Sequence, residues 1–181
     1  MPVTINGDGS ITGLSVGGLG DGAIVDAGSL AAGSVIQTKN ATISGNNVRT
    51  TTTTGSWVDN SSTTSQYQRI DFTPLLSTSK LLLIAAGTTR YDTGATGNAG
   101  YAQVRIIDAT NSNTQVAYCK YAMYAYTGGN NRDSGAWTCM SYINASSTNL
   151  RRYTCQYYFD GAQTYYVGTE GDSITVMEIK V

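Results

Sequence analysis

Residues 150–159 read LRRYTCQYYF. The odd positions carry Arg151, Tyr153, Cys155, Tyr157 and Phe159; the even ones carry Leu150, Arg152, Thr154, Gln156 and Tyr158. Beyond Arg151 the odd set is apolar and the even set mixed. A period of two places successive side chains on opposite faces of a strand. Residues 114–126, TQVAYCKYAMYAY, behave the same way: Ala117, Cys119, Tyr121, Met123 and Ala125 alternate with Val116, Tyr118, Lys120, Ala122, Tyr124 and Tyr126. Working outward from these two segments, strands are predicted at 66–73, 80–87, 101–108, 136–144, 164–167 and 173–181. Between the strands lie Ser/Thr/Gly/Asn/Asp clusters such as GTTRYDTGATGNAG, TGGNNRDSG and GTEGD, which supply turn chemistry. No segment between them has the length and period of an amphipathic helix. The pattern predicts an all-β chain whose C-terminal domain is an antiparallel β-sandwich, with a jelly roll as the leading strand order.

The alternation also sorts residues by face. Cys119, Cys139 and Cys155 each fall on the more apolar side of their strand, as small buried hydrophobes do. Tyr118, Tyr124, Tyr126 and Tyr158 fall on sides that would be wet in an isolated sandwich. The final segment SITVMEIKV is apolar on both sides, with Ile174 and Val176 on one and Met177, Ile179 and Val181 on the other. A monomer exposing this much Tyr and aliphatic surface would be prone to aggregate. Tyr also suits a half-wet interface, because its ring is apolar and its hydroxyl polar. Tyr118, Tyr124, Tyr126, Tyr158, Ile174 and Val176 are therefore expected at a subunit interface, with a ligand surface as the alternative.

Composition narrows the function. Charged residues make up 13% of the 181, against about a quarter in ordinary domains. The net charge is −1 and the 11 basic residues are scattered, so no footprint for nucleic acid is present. The absence of His removes Ser-His-Asp and Cys-His catalysis and every His-containing metal site. Three Cys without a CxxC pair exclude a four-thiolate zinc centre and argue against a disulfide scaffold. No metal and no cofactor are expected. No stretch approaches the roughly 20 apolar residues of a membrane span, and Met1–Ser15 lacks the features of a secretory signal. Assembly in a reducing cytoplasm is the simplest expectation.

Glycine and tyrosine divide the chain. Nine of the 21 Gly precede Gln37, whereas the first aromatic is Trp57. Residues 1–34, MPVTINGDGSITGLSVGGLGDGAIVDAGSLAAGS, have no large side chains with which to build a core. Such a segment stays disordered or orders by packing on another copy or a partner, and its recurring aliphatics favour the second. Residues 35–65 read as a Thr/Ser-rich connector with a strand possible at 35–43, and residues 66–181 as the β-sandwich head.

Three kinds of site chemistry come into question. Glycosidase chemistry needs paired carboxylates; the closest pair, Glu170 and Asp172, lies in a Gly-flanked turn that reads as solvated, so no enzyme is expected. GGLGDG lacks the preceding strand and the Lys-Ser/Thr of a phosphate loop. Carbohydrate recognition is the remaining candidate. Arg90, Tyr91 and Asp92 in one long loop, Asn130, Asn131, Arg132 and Asp133 in another, and Trp137 just beyond combine aromatic faces with hydrogen-bonding groups, and binding residues favour loops. The competing reading is that these loops merely connect strands.

The opening PVTINGDGSITGLSVGGLGDGAIVDAGSLAAGSVIQ resembles the N-terminal block of short bacteriophage tail-fibre-like structural proteins, in which ITGL-x-VGGL-x-DG leads into a β-rich domain. Ser79–Leu83 (SKLLL) and the terminal SITVMEIKV are similar to that family too; Gly20 stands where the block often has Pro. The resemblance covers about a third of the chain. It implies a homotrimeric virion protein, assembled in the bacterial host cytoplasm, with Ile11, Leu14, Val16 and Leu19 among the residues docking to phage tail or capsid proteins. The β-domain would be exposed for a host-surface glycan or protein. A capsid decoration or head fibre with a structural or weakly adhesive role is the alternative. The resemblance implies no catalytic residue.

Overall fold

Alternating burial along the chain builds two facing sheets. The computed structural model describes residues 4–5, 11–12, 30–43, 49–51, 55–59, 68–93, 99–124, 131–159, 164–167 and 171–181. Among the described residues there is no helix, and every strand pairing is antiparallel. The strands are β1 Thr4–Ile5, β2 Ile11–Thr12, β3 Val35–Thr42, β4 Arg49–Thr51, β5 Val58–Asp59, β6 Arg69–Phe72, β7 Lys80–Thr93, β8 Ala99–Asp108, β9 Thr114–Tyr124, β10 Asn131–Asn144, β11 Arg151–Phe159, β12 Thr164–Val167 and β13 Ser173–Ile179.

β7 organises one sheet, sheet B. β10 runs along one of its edges for the full length, Asn144 opposite Lys80 to Asn131 opposite Thr93. Its other edge is shared end to end by β13 and β12, with β3 beyond β13 and β4 beyond β12. In the facing sheet C, β11 pairs with β8 on one side and with β6 and β5 on the other, and β9 lies beyond β8. β1 and β2 form a separate two-stranded ladder, sheet A. The chain is therefore a β-sandwich in its described C-terminal part.

The inward positions interlock. Leu81, Leu83 and Ala85 of β7 and Ile174 and Val176 of β13 meet Ala102, Val104 and Ile106 of β8 and Tyr153, Cys155, Tyr157 and Phe159 of β11 in one buried cluster. Each buried Leu, Ile or Phe contributes about 1.5–3 kcal/mol relative to exposure. Trp137 packs edge-on to Tyr157 at 5.7 Å, and Tyr157 stacks with Phe159 at 6.3 Å. A buried polar strut joins the layers: Gln68 Nε2 donates to Ala86 O and Ser173 O of sheet B (3.0 and 2.8 Å), while Tyr157 Oη donates to Gln68 Oε1 at 2.6 Å.

Two expectations about extent change. β3 pairs along β13 and is followed by Ile43 in the core, and β5 pairs with β11. β3, β4 and β5 thus belong to the two sheets, although they lie in the stretch that reads as a connector. Second, β7 and β10 extend into the predicted long loops: residues 88–93 and 131–135 are ladder, not turn. The β8–β9 turn fits its sequence, with Ser112 and Asn113 at φ of 52° and 56°, a region that Asn tolerates better than most residues.

Candidate functional site

The residues expected to recognise a ligand are brought together, but on strands. Asp92 is opposite Arg132, Tyr91 opposite Asp133, and Asn131 opposite Thr93 in the β7–β10 ladder. On the other edge of β7, Tyr165 is opposite Tyr91 and Tyr166 opposite Arg90. Arg90, Tyr91, Asp92, Asn131, Arg132 and Asp133 thus occupy adjoining register positions at one end of sheet B. Asn130 lies outside the described residues. Trp137 is corrected: it is 5% exposed and packed against Tyr157 in the core, because its β10 position faces inward. A sealed ring has no face for a ligand.

The expected interface residues divide as well. Tyr118 and Tyr158 lie on the outer side of sheet C. Ile174 and Val176 are corrected, since both are fully buried within this chain; they occupy the inward positions of β13 and face sheet C, not another subunit. Tyr124 is opposite Ala99 in the β8–β9 ladder, and Tyr126 lies outside the described residues. Of the docking residues, Ile11 is opposite Ile5; Leu14, Val16 and Leu19 lie outside the described residues.

The outer face of sheet C carries a group of aromatic and cationic side chains that the sequence reading did not assemble. β8 sets Tyr101, Gln103 and Arg105 on this face, opposite Ala122, Lys120 and Tyr118 of β9. Arg105 Nε donates to Gln156 Oε1 at 2.8 Å, and its guanidinium lies 4.2 Å over the Trp57 ring. Trp57 also meets Tyr158 at 5.6 Å and Tyr118 at 6.4 Å. Tyr118 Oη donates to Gln103 Oε1 at 2.9 Å, and Lys120 Nζ lies 4.3 Å over Tyr101. Tyr101 and Tyr118 remain 46% and 45% exposed. Next to this group is a depression of about 220 Å³ lined by Asp59, Arg69, Arg152, Gln156 and their neighbours. Gln156 Nε2 donates to Asp59 Oδ1 at 2.7 Å, and Arg152 grips Asp71 through two bonds of 2.7 and 2.8 Å. The arrangement offers aromatic faces, amide and carboxylate hydrogen-bonding groups, and cations. The signal was present: Tyr101, Gln103 and Arg105 alternate with Ala102, Val104 and Ile106.

Sheet B has a different outer face. Met140, 63% exposed, and Tyr142, 55% exposed, stand on β10 opposite Ile84 and Leu82 of β7. The next positions across are Thr175 and Met177, and then Asn40 and Thr38. These two rows contain no charged residue.

The buried acids are structural. Glu178 is sealed from solvent and accepts from Leu75 N, Leu76 N, Ser79 Oγ and Gln37 Nε2 at 2.5–2.9 Å. Burial pushes its pKa up, but these hydrogen bonds outweigh that and hold it below the ordinary glutamate value. Asp108 caps its turn through Thr110 N and Oγ1 and pairs with Arg151. Asp172, expected in a solvated turn, is instead buried and accepts from Thr88 N at 2.9 Å; Glu170 lies outside the described residues. Among the described residues no cluster of His, Cys, Asp or Glu is placed to hold a metal, and no helix is long and apolar enough to cross a membrane. No protein-family model matches the chain, and the comparison with curated proteins finds no match.

Proposed function

We propose that this chain is a bacteriophage virion structural protein, a short tail fibre whose β-sandwich head binds the host surface. In this reading residues 1–34 attach the protein to the virion. The head is a homotrimer that presents a binding face to a glycan or surface protein. The observation that carries it is the contrast between the two outer faces of one sandwich. The uncharged rows around Met140, Tyr142, Ile84 and Leu82 suit burial against copies of the chain. The aromatic and cationic face around Tyr101, Arg105 and Tyr118 suits a ligand. Strand order lends further support: β3-β13-β7-β10 faces β6-β11-β8-β9, so these eight strands pass between the sheets, apart from the β8–β9 hairpin, as in an eight-stranded jelly roll. That architecture holds a rigid head without depending on metals or disulfides.

The test is antibody labelling of intact virions with serum raised against the full chain, combined with an adsorption assay. Label at the tail tip, and a fall in phage adsorption when cells are pre-incubated with the purified protein, are the expected results. Label over the capsid with unchanged adsorption would overturn the fibre reading.

A further inference from the structure

We propose that the outer face of sheet C is a binding site for an acidic saccharide, a glycan bearing carboxylate or phosphate groups, with Tyr101 and Tyr118 as its platforms and Arg105 and Lys120 as its anion contacts. The inference rests on the reading of the head as a host-binding module and names the ligand class for it.

The charge arrangement is the first argument. This face carries Arg69, Arg105, Lys120 and Arg152 against the carboxylates Asp59 and Asp71, on a chain whose net charge is −1. The positive excess is local. Arg152 is committed to Asp71, and Asp59 is engaged by Gln156. Among the described residues, Arg105 makes one hydrogen bond, through Nε to a neutral amide, so its two Nη groups have no acceptor. Lys120 is held over Tyr101 and has neither an ion pair nor a hydrogen bond among the described residues. Both cations are held over aromatic rings, and although the charge of Asp59 acts on Arg105, neither cation is hydrogen-bonded to a carboxylate, so an incoming anion need not break a bonded ion pair.

Geometry adds the second argument. Gln103 is opposite Lys120 and Arg105 opposite Tyr118, so Arg105 and Lys120 are diagonal neighbours, with backbones about 7–8 Å apart. Tyr101 and Tyr118 lie on the same pleated face, with nearly half of each surface open. A ring with an apolar C–H patch can rest on a tyrosine while its charged substituent reaches Arg105 or Lys120. Its hydroxyls would meet Gln103, Gln156 and Asp59, whose amides and carboxylate line the face and the adjoining depression. Arginine also recognises carboxylate and phosphate in a planar, two-pronged geometry. A single-stranded nucleic acid shares the stacking and the charge, but would require a basic groove following many phosphates; here two available cations are clustered. A saccharide with spaced charges fits better.

The experiment is equilibrium binding of the full-length protein to alginate (a polyuronate), polyglycerol phosphate, dextran and oligo-dT. Binding to alginate or polyglycerol phosphate that weakens with added salt, with dextran and oligo-dT left unbound, is expected; which of the two binds separates carboxylate from phosphate recognition. The Arg105→Gln/Lys120→Gln variant, checked for an unchanged circular dichroism spectrum, should bind at least about tenfold more weakly. Tyr118→Ala should also weaken binding without altering net charge. Equal binding to dextran, preference for oligo-dT, or wild-type affinity in the double variant would overturn the proposal. Whole-cell adsorption separates the two readings. Protein that adsorbs to host cells but ignores both polyanions sinks the ligand class alone, whereas failure to adsorb sinks the host-binding reading with it.

Discussion

Ser79 Oγ donates a 2.5 Å hydrogen bond to Glu178 Oε1 in a buried setting, across 99 positions of sequence. The same carboxylate accepts from Leu75 N, Leu76 N and Gln37 Nε2, so it fastens the segment between β6 and β7 to β13 and to β3. Four donors converge on one anion. An amide in its place would turn one acceptor into a donor facing donors. Glu178→Gln is expected to cost about 2 kcal/mol or more, read as a lower urea midpoint.

The same carboxylate sets a pH dependence. Glu178 has its pKa held below the usual 4.5, and Asp71 is likewise lowered, first by its hydrogen bond from Arg152. A group depressed on folding stabilises above its unfolded pKa, and that stability is lost as pH falls through the folded value. Thermal stability should hold from neutrality to about pH 5 and decline below it. Glu178→Gln should flatten the decline. An identical acid profile in the two proteins would show that this carboxylate contributes no such term.

Gly87 sits opposite Trp137 in the β7–β10 ladder, where a methyl group would stand 2.7 Å from both Asp172 Cγ and Trp137 Cζ2. Neither neighbour can yield easily, since Trp137 is wedged against Tyr157 and Asp172 is tied to Thr88 N. Gly87→Ala should therefore destabilise by about 1–3 kcal/mol or more through overpacking, although alanine is otherwise at least as acceptable in a strand. Denaturant unfolding checks this. A neutral result would mean that the Trp137 layer can shift.

Met140 and Tyr142 mark the face expected to pack between copies. Replacing both with charged residues, Met140→Glu and Tyr142→Lys, touches nothing in the core, so the fold should survive. The assembly should not. Sedimentation or native mass measurement should find the wild type as a trimer and the double variant shifted to monomer, with unchanged circular dichroism. A wild type that is monomeric at micromolar concentration would remove the interface argument altogether.

Period-two alternation was enough to locate most of the strands and the inward side of each. It worked because large apolar residues recur strictly at alternate positions in segments such as 153–159. It failed where polar residues continue a ladder. Arg90, Tyr91, Asp92, Arg132 and Asp133 read as loop chemistry, yet they extend β7 and β10 because each strand supplies the other's hydrogen bonds, a fact carried by pairing rather than by composition. Trp137 departs from expectation for a related reason. Its place just beyond a polar loop reads as an aromatic face for a ligand, whereas the small Gly87 across the ladder makes room for its ring in the core. The sheet C surface escaped because Trp57 stood in the presumed connector, far in sequence from Arg105, Tyr118 and Tyr158. Only the antiparallel register brings the four together.

The three thiols should differ in reactivity although all lie on inward-leaning sides of their strands. Cys119 is half-buried at the edge where β9 approaches β10, and Cys139 and Cys155 are buried. A hydrogen bond with Cys139 favours the Cys119 thiolate, outweighing its burial, and so lowers its pKa; the same bond, together with burial, raises that of Cys139. Burial raises Cys155 as well, with the charge of Asp172 adding to it. Nucleophilicity follows the thiolate, so iodoacetamide at mildly alkaline pH should modify Cys119 first in the folded protein. Cys139 and Cys155 should react at rates limited by opening of the sandwich, and all three should become equivalent in denaturant. Cys119→Ser should abolish the fast phase. Peptide mass mapping of a time course reads each site separately, and labelling of Cys155 as fast as Cys119 in the native state would contradict the buried position of β11.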